Sequence, residues 1–483
     1  MKKIVLKKFL LALSSIYILS ACGKYLEENP DNRVELNSIY KASQLITNAY
    51  SNYGYNFTEW MTDNVTYTYG TTILPQHNEA YSWSDFSGID QDTPTGFWNS
   101  SYEAIAHSNE VLAVINTLPG EEAQRNAVKG EALLARAYNH FMLVNIFAQH
   151  YDALTANKDM GIPYVEEPER EFLKKYERLS VEEVYRKIER DLLEGLELVN
   201  DNYYANSGKY HFTVNASLAF ASRFYLFKND YNKSIEYSTR LFAGNPATFV
   251  KDVPALMRDR VNPEDYIRRY TSPNDESNIL LIKKISNFHA NAGHWPSNSI
   301  INEIYSNNPW GADDTRNIPY RRGENGVIFL KHEQLFERLS LTANVGYNYT
   351  SILAFRGEEV LLNRAESYVF QNKIKEALAD LQLIVNKRYD GNNTINLSTL
   401  RRYYGTPSSR DREIILDFII AERRKEFIHE GLRWFDIKRF NLPVLHVAPD
   451  GQNQISLEED DLRKVIQIPQ AAIDVGGLKP NPR

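Results

Sequence analysis

Residues 215–242, NASLAFASRFYLFKNDYNKSIEYSTRLF, read as two amphipathic helices joined by a short polar turn at Lys228, Asn229 and Asp230. Leu218, Ser222, Tyr225, Ser234 and Leu241 fall on the faces that would meet, and Pro246 follows. The same offsets recur far downstream as Leu361, Ala365, Tyr368, Ala377 and Ile384. A tyrosine with a small residue nine positions later suits a pair of antiparallel helices: the small residue lets the second helix close on the first, and the ring fills the gap between them. Two matches with equal spacing indicate a repeated helix pair.

This arrangement is that of tetratricopeptide-type repeats. Further helical periodicity runs over 38–53, 97–117, 120–149, 180–199, 358–388 (interrupted near Asn372) and 410–440, with Ser180 and Glu183 forming a capping box. The fold class expected is mainly α. Two stretches lack helical periodicity: 54–96, with Trp60, Tyr67, Tyr69, Tyr81, Trp83 and Phe86, and 252–346, with His294, Trp295, Tyr305 and Trp310. Loops of this length are functional or disordered, and these are too aromatic for disorder.

The N-terminus has its own logic. Lys2, Lys3, Lys7 and Lys8 precede an apolar run over 9–19, too short to span a bilayer as an ordinary helix and arranged like a secretory signal. It closes on Leu19-Ser20-Ala21-Cys22, which resembles the bacterial lipobox. The expectation is a signal peptide over 1–21 and a diacylglycerol thioether on Cys22, the only cysteine. An acylated tether over 22–37 and one domain over 38–483, with halves at 38–250 and 251–483, would follow. With Cys22 acylated, no thiol is left for a disulfide, a nucleophile or a cysteine metal site. Loss of the four lysines takes the net charge from −7 to −11, which offers no field for nucleic acid.

Enzyme motifs fail. His332-Glu333 is followed by Gln334, Leu335 and Phe336, so there is no HExxH; Walker and G-x-S-x-G motifs are absent too. Asp313-Asp314 beside Arg316 reads as a turn, and His77, His294 and His429 are scattered. No cofactor or metal is called for; a calcium ion in a loop stays open, without EF-hand spacing to support it.

The tract 422–440, ERRKEFIHEGLRWFDIKRF, closely resembles the signature of the SusD/RagB family. Gly130-Glu131-Ala132 with Arg136-Ala137-Tyr138, Arg356-Gly357-Glu358-Glu359-Val360 with Arg364-Ala365-Glu366, and Ile468-Pro469 with Asn481-Pro482 resemble its other motifs, and Ser234 stands where alanine is commoner in the helix-pair repeat. Within the tract, Arg423 and Glu426, and Glu430 and Arg433, are three apart, where opposite charges meet on a helix, and Gly431 would end or bend that helix. The tract therefore reads as structural. The resemblance implies a cell-surface outer-membrane lipoprotein, non-enzymatic, that captures an oligosaccharide and passes it to a SusC-like TonB-dependent transporter. A peptide ligand, or a lid touching only the transporter, are the alternatives. Sugar rings pack on aromatic faces and pair with amides and carboxylates, which puts Tyr67, Tyr69, Trp83, His294, Trp295, Asn298 and Trp310 forward as ligand contacts, near Asn64 and Gln76. The competing reading makes the same rings anchors of the long loops.

Overall fold

The computed structural model describes residues 35–483 except 69–72, 172–173, 205–206, 257–261, 289–292, 319–320 and 324–325. Cys22, Tyr69 and the expected signal peptide lie outside the described residues. The fold is mainly α, and residues 38–483 form one compact unit. Helices α1 (Ile39–Ile46), α2 (Pro75–Tyr81), α3 (Pro94–Val114), α4 (Glu122–Phe147) and α5 (Val181–Leu198) come first. Ser180 Oγ accepts from the Glu183 amide at 3.2 Å while Glu183 Oε2 accepts from the Ser180 amide at 3.3 Å, the reciprocal cap its sequence announces. Gly130 marks where α4 crosses α5 at backbone contact. A Cβ there would stand 2.7 Å from the Val199 nitrogen and 3.0 Å from the Gly195 oxygen.

The first repeat is α6 (Val214–Phe227) and α7 (Tyr231–Phe242); after the short helices α8 (Val253–Leu256), α9 (Pro263–Tyr270) and α10 (Asn298–Ser306) comes the second, α11 (Gly357–Phe370) and α12 (Ile374–Arg388). Both pairs turn through an asparagine in the left-handed region, Asn229 at φ 61° and Asn372 at φ 57°. In each, the next amide reaches back to the tyrosine carbonyl: Asp230 to Tyr225 at 2.9 Å and Lys373 to Tyr368 at 2.8 Å. Ser234 and Ala377 are both fully buried. Tyr225 is enclosed, but Tyr368 is only half-buried, so the two rings are equivalent in position and unequal in burial. The serine at 234 has a use that alanine lacks. Its hydroxyl donates to the Ser222 carbonyl at 3.2 Å and accepts from Ser367 Oγ at 3.0 Å, which bonds α7 to α11 and so one pair to the next.

The region 252–346, expected to be irregular, carries most of the protein's sheet. Strand β1 (Asn278–Ile285) precedes a small hairpin, β2 (Arg321–Gly323) with β3 (Gly326–Ile328); β4 (Glu333–Arg338) and β5 (Gly346–Arg356) complete an antiparallel sheet of order β1-β5-β4. Lys283 pairs with Ser351 and Gln334 with Thr350. β1 is buried on both faces over most of its length and β4 on neither, so neither strand shows the alternation that betrays a half-buried strand.

The helix expected over 410–440 is two helices. After α13 (Leu397–Tyr404), α14 (Asp411–Glu426) ends, and α15 (Arg433–Arg439) starts after a turn with His429 at φ 66° and Gly431 at φ 73°. Among the described residues neither expected i,i+3 pair forms: Arg423 and Glu426 share α14 but each is taken by other partners, and Glu430 lies in the turn before Arg433 opens α15. Arg423 instead pairs with Asp436 at 2.9 Å, and Arg433 with Asp63 at 2.9 Å. Glu426 accepts from Arg388 at 2.9 Å, Arg356 at 3.1 Å and Arg316 at 3.3 Å. Asp314 belongs to this hub through Arg316 at 2.6 Å. Three arginines hold the Glu426 carboxyl well below the usual range although burial pushes it up. The signature tract thus ties α11, α12, β5 and the 54–64 segment together, a structural task. The short strands β6 (Val444–Val447) and β7 (Gln454–Leu457) and helix α16 (Gln470–Asp474) finish the chain. Among the described residues no helix is long and apolar enough to cross a membrane.

Candidate ligand-binding face

The two aromatic stretches meet in a column of five rings. Tyr67 lies 4.8 Å from His294, His294 4.5 Å from Tyr81, Tyr81 4.1 Å from His446, and His446 4.6 Å from Trp83 (ring centroids). Arg463 covers Trp83 at 5.7 Å. Hydrogen bonds fix the order: Tyr81 Oη accepts from the Tyr67 amide and donates to the Val447 carbonyl, both at 2.9 Å, and Trp83 Nε1 donates to the Met61 carbonyl at 2.9 Å. The bridge between Thr66 and Trp295 clips the two stretches together. Trp83 sits at φ 55°, a left-handed backbone that costs a bulky residue about 1–3 kcal/mol and survives only where its surroundings over-determine it.

The structure separates the candidate residues. Trp83 and Trp295 are enclosed, 3% and 1% exposed, and His294 is fully buried. Burial lowers His294 to about 3, so its ring stays neutral; Nδ1 accepts from the Thr68 amide at 3.2 Å and Nε2 lies 3.1 Å from Asn78 Oδ1. No face of these three is offered to a ligand here, and they anchor the loops. The rings of a glycan-type loop and of a loop anchor have the same composition, and only the packing of 62–68 and 77–83 on 293–295 and on β6 tells them apart. Trp310 stands elsewhere: it packs 5.1 Å from Tyr389 and donates through Nε1 to the Thr394 carbonyl at 3.1 Å. Tyr67, half-buried at the outer end of the column, and Asn298, exposed on the first turn of α10, remain at the surface, as does Asn78, which bonds His294. His446 and Asn78 escaped sequence reasoning because single polar residues far apart in the chain give no pattern.

Two other surface features stand out. The β4–β5 hairpin exposes Leu335, Phe336, Leu339, Leu341, Val345 and Tyr347, and β4 is a sheet edge. A cleft of about 400 Å³ opens between α3, residues 163–169 and 174–176, and residues 472–478. Among the described residues no group of three His, Cys, Asp or Glu side chains could hold a metal.

Helix pairs carrying long loops locked by ring stacks define a helical-repeat scaffold built to present a face. Comparison with known proteins gives that scaffold a family. Residues 24–226 match the family described as "Starch-binding associating with outer membrane", and residues 265–475 match the SusD family. The chain belongs to the SusD/RagB family. It is 21% identical over 495 aligned positions to SusD-like protein P38 of Formosa agariphila, covering 91% of this chain and 92% of that one. SusD-like protein P2 of the same organism is 22% identical, with 75% of each covered. Among solved structures, a SusD superfamily protein from Bacteroides vulgatus is similar with a TM-score of 0.68 at 15% identity, over 92% of this chain and 99% of that one. A laminarin-binding SusD-like protein is similar with a TM-score of 0.60 at 16% identity, over 92% and 98%.

Proposed function

We propose that this chain is a lipid-anchored outer-membrane protein that captures an oligosaccharide at the cell surface and hands it to a SusC-like TonB-dependent transporter. The observation that carries this reading is family membership across both halves of the chain, with relatives described as starch-binding, laminarin-binding and carbohydrate-binding. It acts by binding, with no bond made or broken, as its buried charge clusters are committed to structure. The anchor is Cys22. The sugar is met at the outer end of the ring column, where Tyr67 supplies a ring face and Asn78, which bonds His294, supplies an amide. The rigid stack beneath keeps Tyr67 in one orientation, which reduces the ordering cost of binding. The apolar β4–β5 hairpin suits contact with the transporter.

Isothermal titration of the soluble protein, beginning at Gly23, against laminarin and starch oligosaccharides tests the reading. Tyr67→Ala should weaken binding by about 1–3 kcal/mol while the melting temperature holds. Absence of binding to any of a glycan array, with binding to peptides instead, refutes it. Cys22→Ala should abolish incorporation of a labelled fatty acid in cells, and undiminished label refutes the anchor.

A further inference from the structure

The cleft beside α3 shares no residue with the ring column. Trp98 and Tyr102, one turn apart on α3, stand 4.9 Å apart with their rings tilted by 54°, and Tyr176 and Leu478 close the other sides. Its volume, about 400 Å³, lies in the range of small-molecule sites. The walls are fixed in place. Tyr102 Oη donates to the Pro163 carbonyl at 2.8 Å, and Asn109 Nδ2 donates to the Val165 carbonyl at 3.1 Å. Arg178 bridges the loop to the C-terminal segment, donating to the Gly161 carbonyl at 2.7 Å, the Lys479 carbonyl at 2.8 Å and Asn481 Oδ1 at 2.7 Å. No carboxylate is among these partners, so the arginine serves as a backbone clamp.

Two observations bear on what would enter. The Tyr176 hydroxyl is shielded from solvent beside the Glu169 carboxylate, and burial together with Glu169 and Glu167 pushes its ionisation up. A phenol hydroxyl that donates to a carboxylate can still accept, so a ligand hydroxyl can pair with it. Glu103, Glu167 and Glu169 line the cleft against one cation, Lys174, whose Nζ lies 5.4 Å from the Tyr176 ring centre and 3.9 Å from Glu167. That charge disfavours anions. A purely apolar guest would cover the Tyr176 hydroxyl and the rim carboxylates while offering them no hydrogen bond. Aromatic walls with carboxylate and hydroxyl partners match a neutral sugar, whose C–H face packs on a ring while its hydroxyls bond the rim.

Resting on the glycan reading above, we propose that this cleft is a second carbohydrate site, which takes a short neutral segment of the same oligosaccharide or of a neighbouring chain. Two sites on one rigid body would raise apparent affinity for a polysaccharide that reaches both. The probes are laminarihexaose and maltohexaose, titrated into the soluble protein and into Tyr176→Ala, Glu167→Gln and Tyr67→Ala variants. For at least one probe, wild type should show two binding events. Tyr176→Ala should remove one or weaken it at least tenfold, and the Tyr67-dependent event should remain. Glu167 is on an exposed side chain, so Glu167→Gln keeps its fold whatever Tyr176→Ala does, and should weaken the same event several-fold. If both variants bind as wild type, or if Tyr67→Ala alone removes all binding, the second site is overturned while the glycan reading stands. If wild type binds neither probe but binds another glycan on an array, the cleft proposal falls for these sugars. If it binds no glycan at all, both fall.

Discussion

Truncating the two equivalent repeat tyrosines should produce unequal losses. Tyr225 is fully enclosed: its ring stacks on Tyr237 at 5.3 Å and its hydroxyl donates to Glu189 Oε1 at 2.9 Å. Removing an enclosed aromatic ring costs about 3–5 kcal/mol, through lost burial and the cavity left behind. The hydroxyl adds little to that. Glu189 also accepts from Lys228 and, at 3.0 Å, from Lys233, so Tyr225→Phe leaves its carboxylate paired and should cost only about 1 kcal/mol. Tyr368 occupies the same offset in α11 but keeps part of its ring in water. Tyr368→Ala should therefore cost about 1–2 kcal/mol, since the transfer free energy scales with the apolar area removed from water. Urea denaturation of the soluble protein, followed by circular dichroism and tryptophan fluorescence, measures all three. The midpoint should fall most for Tyr225→Ala, and the slope should stay constant. A Tyr225→Ala midpoint equal to wild type, or a Tyr368→Ala loss as large as that of Tyr225→Ala, refutes the account of how the pairs close.

Trp295→Ala should cost about 3–5 kcal/mol and lower the melting temperature, because its ring packs 5.4 Å from Phe288 and 5.1 Å from His429 and is enclosed. A variant that melts like wild type yet loses glycan would return Trp295 to the ligand face. The contribution of Glu59 to stability, read as the difference between wild type and Glu59→Gln, should also fall as pH rises from about 5 to 8. Burial raises the Glu59 carboxyl to about 7 although it accepts from the His429 and Gly431 amides at 2.9 Å each. The folded state then holds a proton that the unfolded state has released, so this stabilisation is full below the unfolded value and lost through the folded one, about 3 kcal/mol in all. Thermal melts of wild type and Glu59→Gln across that range should converge on the acid side and separate above it. Parallel curves would contradict the assignment.

The repeat could be read along the chain because its information is local: Tyr225 to Ser234 and Tyr368 to Ala377 are fixed offsets within one helix pair, and helical period sets which faces meet. The signature tract was legible as structure for a similar reason, since its apolar residues fit a core. Its charge partners were not. Arg423 sits three residues from Glu426, and proximity in sequence selects that pair until the turn at His429 and Gly431 swings Asp436 into reach. The sheet was missed because burial of β1 on both faces and of β4 on neither erases the alternation that depends on a strand having one wet side.

By itself the sequence determined the helix-pair architecture, the family motifs and the composition of the loops, since each is written in spacing along one segment. Only the tertiary structure decided which rings of those loops reach solvent. Trp83, His294 and Trp295 turned inward and Tyr67 stayed half outside, because burial depends on the second surface an aromatic finds, and His446 and His429 come from chain segments far from the rings they cover. The cleft beside α3 has the same origin. Trp98 and Tyr102 share a helix, but Tyr176 and Leu478 reach them only once Arg178 has clamped the loop to the C-terminal segment.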